Sequence, residues 1–147
     1  MEIGQVIHSS FRNARHKAVV NLRYTANYIG NIQNSYMSQY DLSMPQFNIL
    51  RILRGAKGAI SVNTVKDRML EKSPNTTRLM DKLIDKGLME RIRCEEDRRV
   101  VYVSITEQGL ELLAKIDQDS EAKLDVSGNL SEEEAEQLSL LLDKLRG

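Results

Sequence analysis

The sequence predicts a mainly α-helical chain with a small β-wing. Three observations lead there. Apolar residues recur at steps of three and four along most of the 147 residues, and capping residues punctuate those stretches. One segment near residue 100 changes instead to a run dense in β-formers.

Each element follows from its residues. Phe11, Ala14, Ala18, Leu22, Ala26, Ile29, Ile32, Tyr36 and Tyr40 define one face of a long helix from Phe11 to Tyr40. About 45 Å of helix exceeds what a compact monomer of this size needs, which marks an interface element. A short helix within Glu2–Ser9 precedes it. Ser43-Met44-Pro45-Gln46 reads as a capping box opening the stripe Phe47, Ile49, Leu50 and Leu53, which Gly55 and Gly58 end. Ser61 caps a short helix with Val62, Val65, Met69 and Leu70 inward. Ser73-Pro74 reads as an N-cap with proline at the first helical position. Its helix turns Thr76, Leu79, Met80 and Leu83 inward, and Gly87 closes it. The helices Ser61–Leu70 and Ser73–Lys86 thus meet through a turn of about two or three residues, the helix-turn-helix layout.

Leu88–Arg93 and Val100–Ile105 read as two strands joined by the polar tip Cys94-Glu95-Glu96-Asp97-Arg98-Arg99, a wing placed directly after the second helix. Thr106 caps a helix with Leu110, Leu112, Leu113, Ile116 and Leu124 apolar, which Gly128-Asn129 breaks. Ser131-Glu132-Glu133-Glu134 is a second capping box, opening a helix that turns Leu138, Leu141, Leu142 and Leu145 inward.

Composition narrows the function classes. One cysteine, Cys94, excludes an intramolecular disulfide, and no apolar run approaches the roughly 18 residues of a membrane span. The start, Met1-Glu2-Ile3-Gly4-Gln5, lacks a basic, apolar signal layout, so a cytoplasmic protein is expected. Net charge is zero, but it is unevenly spread. Residues 1–60 carry seven Lys/Arg against two Asp/Glu, residues 61–106 ten against eight, and residues 107–147 four against eleven. A basic front and an acidic tail cancel in the sum, which leaves room for an interaction surface.

Helix-turn-helix followed by a wing is the winged helix-turn-helix order, in which the second helix enters the major groove. Its N-terminal residues here are Pro74, Asn75, Thr77 and Arg78. Asn can pair with adenine, Arg with guanine, and Thr can touch a thymine methyl. Ser73, at the helix N-terminus, and Lys82, a turn further on, suit phosphate. At the wing tip, Arg98 or Arg99 can enter a narrow minor groove, and Asp97 could hold Arg99 by a charge-assisted bond. A solvated charged turn that blunts an edge strand is the other reading of that tip.

These residues resemble the MarR family. Ser73-Pro74-Asn75-Thr76-Thr77-Arg78-Leu79-Met80-Asp81-Lys82-Leu83 with Asp85-Lys86-Gly87-Leu88-Met89-Glu90-Arg91 is similar to its recognition helix and first wing strand. Asp97-Arg98-Arg99 with Val103-Ser104-Ile105-Thr106-Glu107-Gln108-Gly109 resembles its D-R-R…L-T-x-x-G signature, and Tyr40-Asp41-Leu42-Ser43-Met44-Pro45-Gln46-Phe47 the stretch after its first long helix. The resemblance runs over about residues 18–146. It implies a homodimeric DNA-binding regulator on a pseudo-palindromic operator, a repressor of nearby genes relieved by an effector. Residues 1–40 and 107–147 would form the dimerisation lobe, and residues 41–106 the DNA-binding lobe, of one domain spanning 1–147. Base contacts would fall to Pro74, Asn75 and Arg78, and the minor-groove contact to Arg98 or Arg99. Two departures stand out: Arg93, Cys94 and Glu95 replace the proline common in the family's wing, and residues 1–17 precede its usual start.

The resemblance also implies a site for a small aromatic or anionic effector between the lobes, for which His16, Arg23, Tyr24, Tyr28, Phe47 and Arg51 are the candidates. Metal binding is not expected, because His8 and His16 are eight residues apart and about 80° out of phase on a helix. The family's peroxide sensors carry a cysteine in the first long helix, which is absent here; a redox role for Cys94 would need an intermolecular bond. No catalytic arrangement of Ser, His, Cys or acidic residues and no phosphate-cradling loop is found, so neither enzyme activity nor a cofactor is expected. A winged-helix protein–protein module without specific DNA binding is the alternative that near-zero net charge permits.

Overall fold

A computed structural model describes residues 1–120, 126 and 128–147. In chain order the elements are α1 (Ile3–Val6), α2 (Ala14–Ser38), α3 (Met44–Ala56), β1 (Ile60–Ser61), α4 (Val62–Arg68), α5 (Thr76–Asp85), β2 (Met89–Arg93), β3 (Val101–Ile105), α6 (Glu107–Ser120) and α7 (Glu132–Arg146). The strands form one antiparallel sheet of order β1-β3-β2, with Met89 opposite Ile105, Arg91 opposite Val103 and Ile60 also opposite Val103.

Helix α3 is the centre of the core. Its capping box forms as expected: Gln46 N donates to Ser43 Oγ at 3.3 Å, and Ser43 N donates to Gln46 Oε1 at 3.0 Å. That reciprocal pairing lets the Gln46 side chain be buried at little cost. Phe47, Ile49, Leu50 and Leu53 pack with Met37 of α2, Val65 of α4, Met80 and Leu83 of α5, Met89 and Val103 of the sheet, and Leu113 and Ile116 of α6. Each Leu or Ile withdrawn in this way contributes about 1.5–3 kcal/mol.

Several boundaries differ from the sequence expectation. The long helix runs from Ala14 to Ser38, about 37 Å, because Asn13 caps it by accepting from His16 N at 2.9 Å. Met37 is its one fully buried residue, while Val19 and Leu22 are exposed. Helix α3 continues through Gly55 and ends when Lys57 takes a left-handed conformation, φ 53°. Ser61 does cap α4, but Ile60–Ser61 also forms a third strand. A two-residue strand has too little pattern to be read from sequence.

The second helix begins at Thr76, not Pro74, and Asn75 is its N-cap. Ser73 sits in the preceding turn, its hydroxyl accepting from Asn75 N at 3.2 Å, while Thr76 Oγ1 donates to Ser73 O at 2.9 Å. The link between α4 and α5 is therefore residues 69–75, longer than the turn expected. In that link Met69 turns into the core, but Leu70, expected inward, is 89% exposed.

At the chain ends, α1 is one short turn with Ile3 buried, and Glu2 pairs with Lys17 of α2. Thr106 caps α6 as expected, and of its apolar residues Leu113 and Ile116 are buried while Leu110 is exposed. Leu124 lies outside the described residues. Helix α7 forms with its capping box, Glu134 N to Ser131 Oγ 3.2 Å and Ser131 N to Glu134 Oε2 2.8 Å. Its first turn is acidic and its last carries Lys144 and Arg146, matching the helix dipole. Yet none of its residues is buried: Leu138, Leu141 and Leu145, expected inward, are exposed within one chain, Leu141 to 64%.

Candidate nucleic-acid interface

The outward face of α5 is built by its inward one. Thr76, Met80 and Leu83, at spacings of four and three, are buried against the core, which leaves Asn75, Thr77, Arg78 and Lys82 exposed. Pro74 is exposed just before the first turn, and Ser73 is half-buried. Asn75 spends no side-chain bond on capping, so its amide is available to a partner. The helix is stopped by a double cap: Gly87 N donates to Ile84 O at 2.9 Å and Leu88 N to Leu83 O at 3.0 Å. This requires a left-handed residue, and Gly87 supplies it at φ 73°.

The wing is tied to that cap. Thr106 Oγ1 donates to Gly87 O at 2.6 Å and accepts from Gly109 N at 3.1 Å, while Thr106 N donates to Leu88 O at 3.1 Å. Gly109 has to be glycine, since a Cβ there would collide with the Leu88 carbonyl and come within 2.7 Å of Ile105. The start of α6 and the end of α5 are thereby fastened across the root of the hairpin. A further ion pair joins Arg91 of β2 to Asp81 of α5. Sequence reasoning missed this pair, because it becomes visible only once the hairpin is placed against the helix.

Strand alternation sets what the wing presents. Met89, Arg91 and Arg93 share one face of β2. Met89 is buried at the root, but further out the same face leaves the core and becomes arginine. Arg91, Arg93, Arg98 and Arg99 of the wing, Thr77 of α5 and Asn63 of α4 line an open concavity of about 1060 Å³. Glu95 and the half-buried Cys94 also border it. A second concavity of about 550 Å³ lies beside the other flank of α5, lined by Lys82, Lys86, Ser43 and Asp41 among others. There Lys86 Nζ pairs with Asp41 Oδ2 at 3.0 Å.

Asp97 organises the tip. Its Oδ1 accepts from the Arg99 backbone N at 3.0 Å and, at 3.4 Å, from Arg99 Nε, and its carbonyl accepts from Val100 N at 3.2 Å. The backbone bond is the shorter, so Asp97 fixes the turn first and the Arg99 guanidinium second. The Arg99 side chain is 93% exposed, and among the described residues it is held only by that longer contact to Asp97.

The six effector candidates line neither concavity. His16 lies at the start of α2, its Nδ1 accepting from Arg12 N at 3.4 Å and its ring edge-on to Phe11. Arg23, Tyr24 and Tyr28 are exposed along α2. Phe47 is buried, with the Arg51 guanidinium 5.7 Å from its ring centre. Among the described residues, no group of three or more His, Cys, Asp or Glu could hold a metal, and no helix is long and apolar enough to cross a membrane.

Comparison with known proteins agrees with this geometry. The MarR family profile matches residues 42–101. The regulator MhqR of Bacillus subtilis is 33% identical over 118 residues, covering 80% of this chain and 81% of MhqR. A MarR transcription factor from Planctomyces limnophilus is 32% identical and superposes with a TM-score of 0.71 over 91% of this chain and 98% of its own. A mutant MarR from E. coli, solved in complex with operator DNA, is 26% identical with a TM-score of 0.80, covering 93% of this chain and 99% of that one. The chain belongs to the MarR family of DNA-binding transcriptional regulators.

Proposed function

We propose that two copies of this chain read a pseudo-palindromic operator, each placing α5 in a major groove and its wing against the neighbouring minor groove. The observation that carries this is the common orientation of two basic surfaces. Thr77 on the exposed side of α5 and the arginine-bearing face of the wing border one concavity, and the Arg91–Asp81 pair ties the wing to that helix. Asn75, Thr77 and Arg78, with Pro74 shaping the approach, read base edges; Ser73 and Lys82 hold phosphate; Arg98 and Arg99 enter the minor groove, with Asp97 fixing the tip. The complex of the E. coli relative with operator DNA supports this reading. Residues 41–106 form the DNA-binding lobe of one domain, and residues 1–40 and 107–147 carry the dimer.

The regulator acts in the cytoplasm, repressing nearby genes without a metal or cofactor, and a small aromatic or anionic effector relieves repression. His16, Arg23, Tyr24, Tyr28, Phe47 and Arg51 are the residues assigned to that effector, in the assembled dimer. The test starts by selecting genomic fragments that the protein retains. A duplex carrying the shared sequence and a scrambled duplex are then titrated by fluorescence anisotropy at two salt concentrations. Affinity for the selected duplex should exceed that for the scrambled one by about a thousandfold or more, and both should fall as salt rises. Equal, salt-insensitive affinities would overturn the reading.

A further inference from the structure

Along one face of β2 the side chains change role at every second residue. Met89 is buried and seals the root of the hairpin. Arg91 is paired with Asp81 of α5, so its charge is already matched. Arg93 lies about 6.8 Å further along the same face, opposite Val101 of β3, and is exposed. Among the described residues Arg93 makes no side-chain hydrogen bond or ion pair, not even with Glu95, which borders the same concavity. It therefore sits between the point where the wing is tied to α5 and the tip that carries Arg98 and Arg99.

A duplex that offers its major groove to α5 and the adjoining minor groove to the tip must lay one sugar–phosphate strand between them, because that strand is the wall the two grooves share. Arg93 is the cation at that place on the wing. Arg91 has less to offer, since Asp81 already takes its charge. Helix α4 also borders the concavity, through exposed Asn63, and the first helix of such a motif is the one that crosses the backbone. The concavity thus has the walls a phosphate strand would meet, with an unpaired guanidinium on one of them.

From this placement we infer that Arg93 binds the phosphate strand running between the two grooves and so sets the register of α5 and the wing on the duplex. The inference rests on the operator reading given above. A phosphate is the same whatever base it carries, so this contact adds affinity without sequence preference. Arg93 also stands where this chain departs from the family's wing, in the Arg93-Cys94-Glu95 stretch.

The test uses the full chain with the selected and scrambled duplexes, titrated by fluorescence anisotropy over a range of salt. Arg93→Ala removes two phosphate contacts from each dimer on the selected duplex, at about 0.9 of slope each. The plot of log affinity against log salt should become shallower by about two, and the deficit against wild type should shrink by about tenfold between about 50 mM and about 200 mM salt. The loss should appear on both duplexes. Arg93→Lys, which keeps the charge, should keep the wild-type slope. Lys115→Ala removes the same charge from the exposed side of α6 and should leave the slope unchanged. If Arg93→Ala folds poorly, Arg93→Gln carries the test. A slope equal to wild type, a slope change matched by Lys115→Ala, or a loss confined to the selected duplex would overturn the inference. A wild type whose own affinities are equal and insensitive to salt would instead show that the operator reading had failed.

Discussion

Helices α3 and α7 are built alike and end up in opposite surroundings. Each opens with a serine capping box, Ser43 with Gln46 and Ser131 with Glu134, and each carries a leucine-rich stripe. In α3 the stripe is sealed: Ile49, Leu50 and Leu53 are buried by six other elements. In α7 no residue is buried, and Leu138, Leu141 and Leu145 face solvent. Local signals decide that a helix forms and which face is apolar, while the cover for that face comes from elsewhere. For α3 it is the same chain. For α7 it is, in the proposed dimer, a second copy.

The comparison breaks most visibly under truncation. Leu50→Ala should cost about 2–5 kcal/mol, lowering the thermal midpoint at every protein concentration. Leu141→Asp should act differently, because its effect passes through association. The wild-type midpoint should rise with protein concentration, and in Leu141→Asp that dependence should vanish. Calorimetry at two concentrations tells the two positions apart, and a Leu141→Asp midpoint that still tracks concentration would break the contrast.

The same contrast explains how much was legible in the sequence. Capping boxes at Ser43 and Ser131, the caps at Ser61 and Thr106, the Gly87 stop and the wing were all readable, because each rests on bonds between near neighbours. What was misread depended on distant partners. The pattern Ser73-Pro74 reads as an N-cap, but the Ser73 hydroxyl closes the turn before the helix, and the length of the 69–75 link turns Leu70 outward. The Asp81–Arg91, Tyr40–Asp119 and Arg54–Asp117 contacts have no local signature. In the candidate site, the exposed residues of α5 proposed to face DNA were nameable because an amphipathic helix exposes whatever its core face does not use. The effector candidates rest on the family resemblance alone, and in the single chain they line neither concavity beside α5.

Smaller effects sharpen the reading of the DNA-facing surface. Arg78→Ala should weaken binding to the selected duplex by about 1–3 kcal/mol and relax preference at one position of each half-site. Equal loss on scrambled DNA would reassign Arg78 to phosphate. Asp97→Ala removes the acceptor that holds the Arg99 backbone and should cost about 0.5–1.5 kcal/mol of specific binding, the scale of ordering one long side chain. Asp97→Asn keeps that acceptor and should cost less. If both variants instead tighten selected and scrambled duplexes alike, Asp97 acts only through its charge.

Tyr40 gives the smallest effect, and its sign is fixed by geometry. Its hydrogen bond to Asp119, then its contact with Tyr36, push its ionisation above the ordinary 10.0. A phenol whose folded pKa is raised contributes its full stability below the unfolded value and loses it as pH climbs beyond. Tyr40→Phe should therefore be less stable than wild type by a constant margin below about pH 10, and that margin should shrink above it. Urea denaturation across that range checks it, and a margin that widens with alkali would contradict the Tyr40–Asp119 bond.

The most direct test is the mass of the purified chain at micromolar concentration, measured by light scattering. The exposed stripe of α7 predicts a particle near twice the 16.8 kDa of one chain, reduced to one chain's mass by Leu141→Asp. A wild type that stays at 16.8 kDa, with α7 still helical, would show that no second copy covers the α7 stripe.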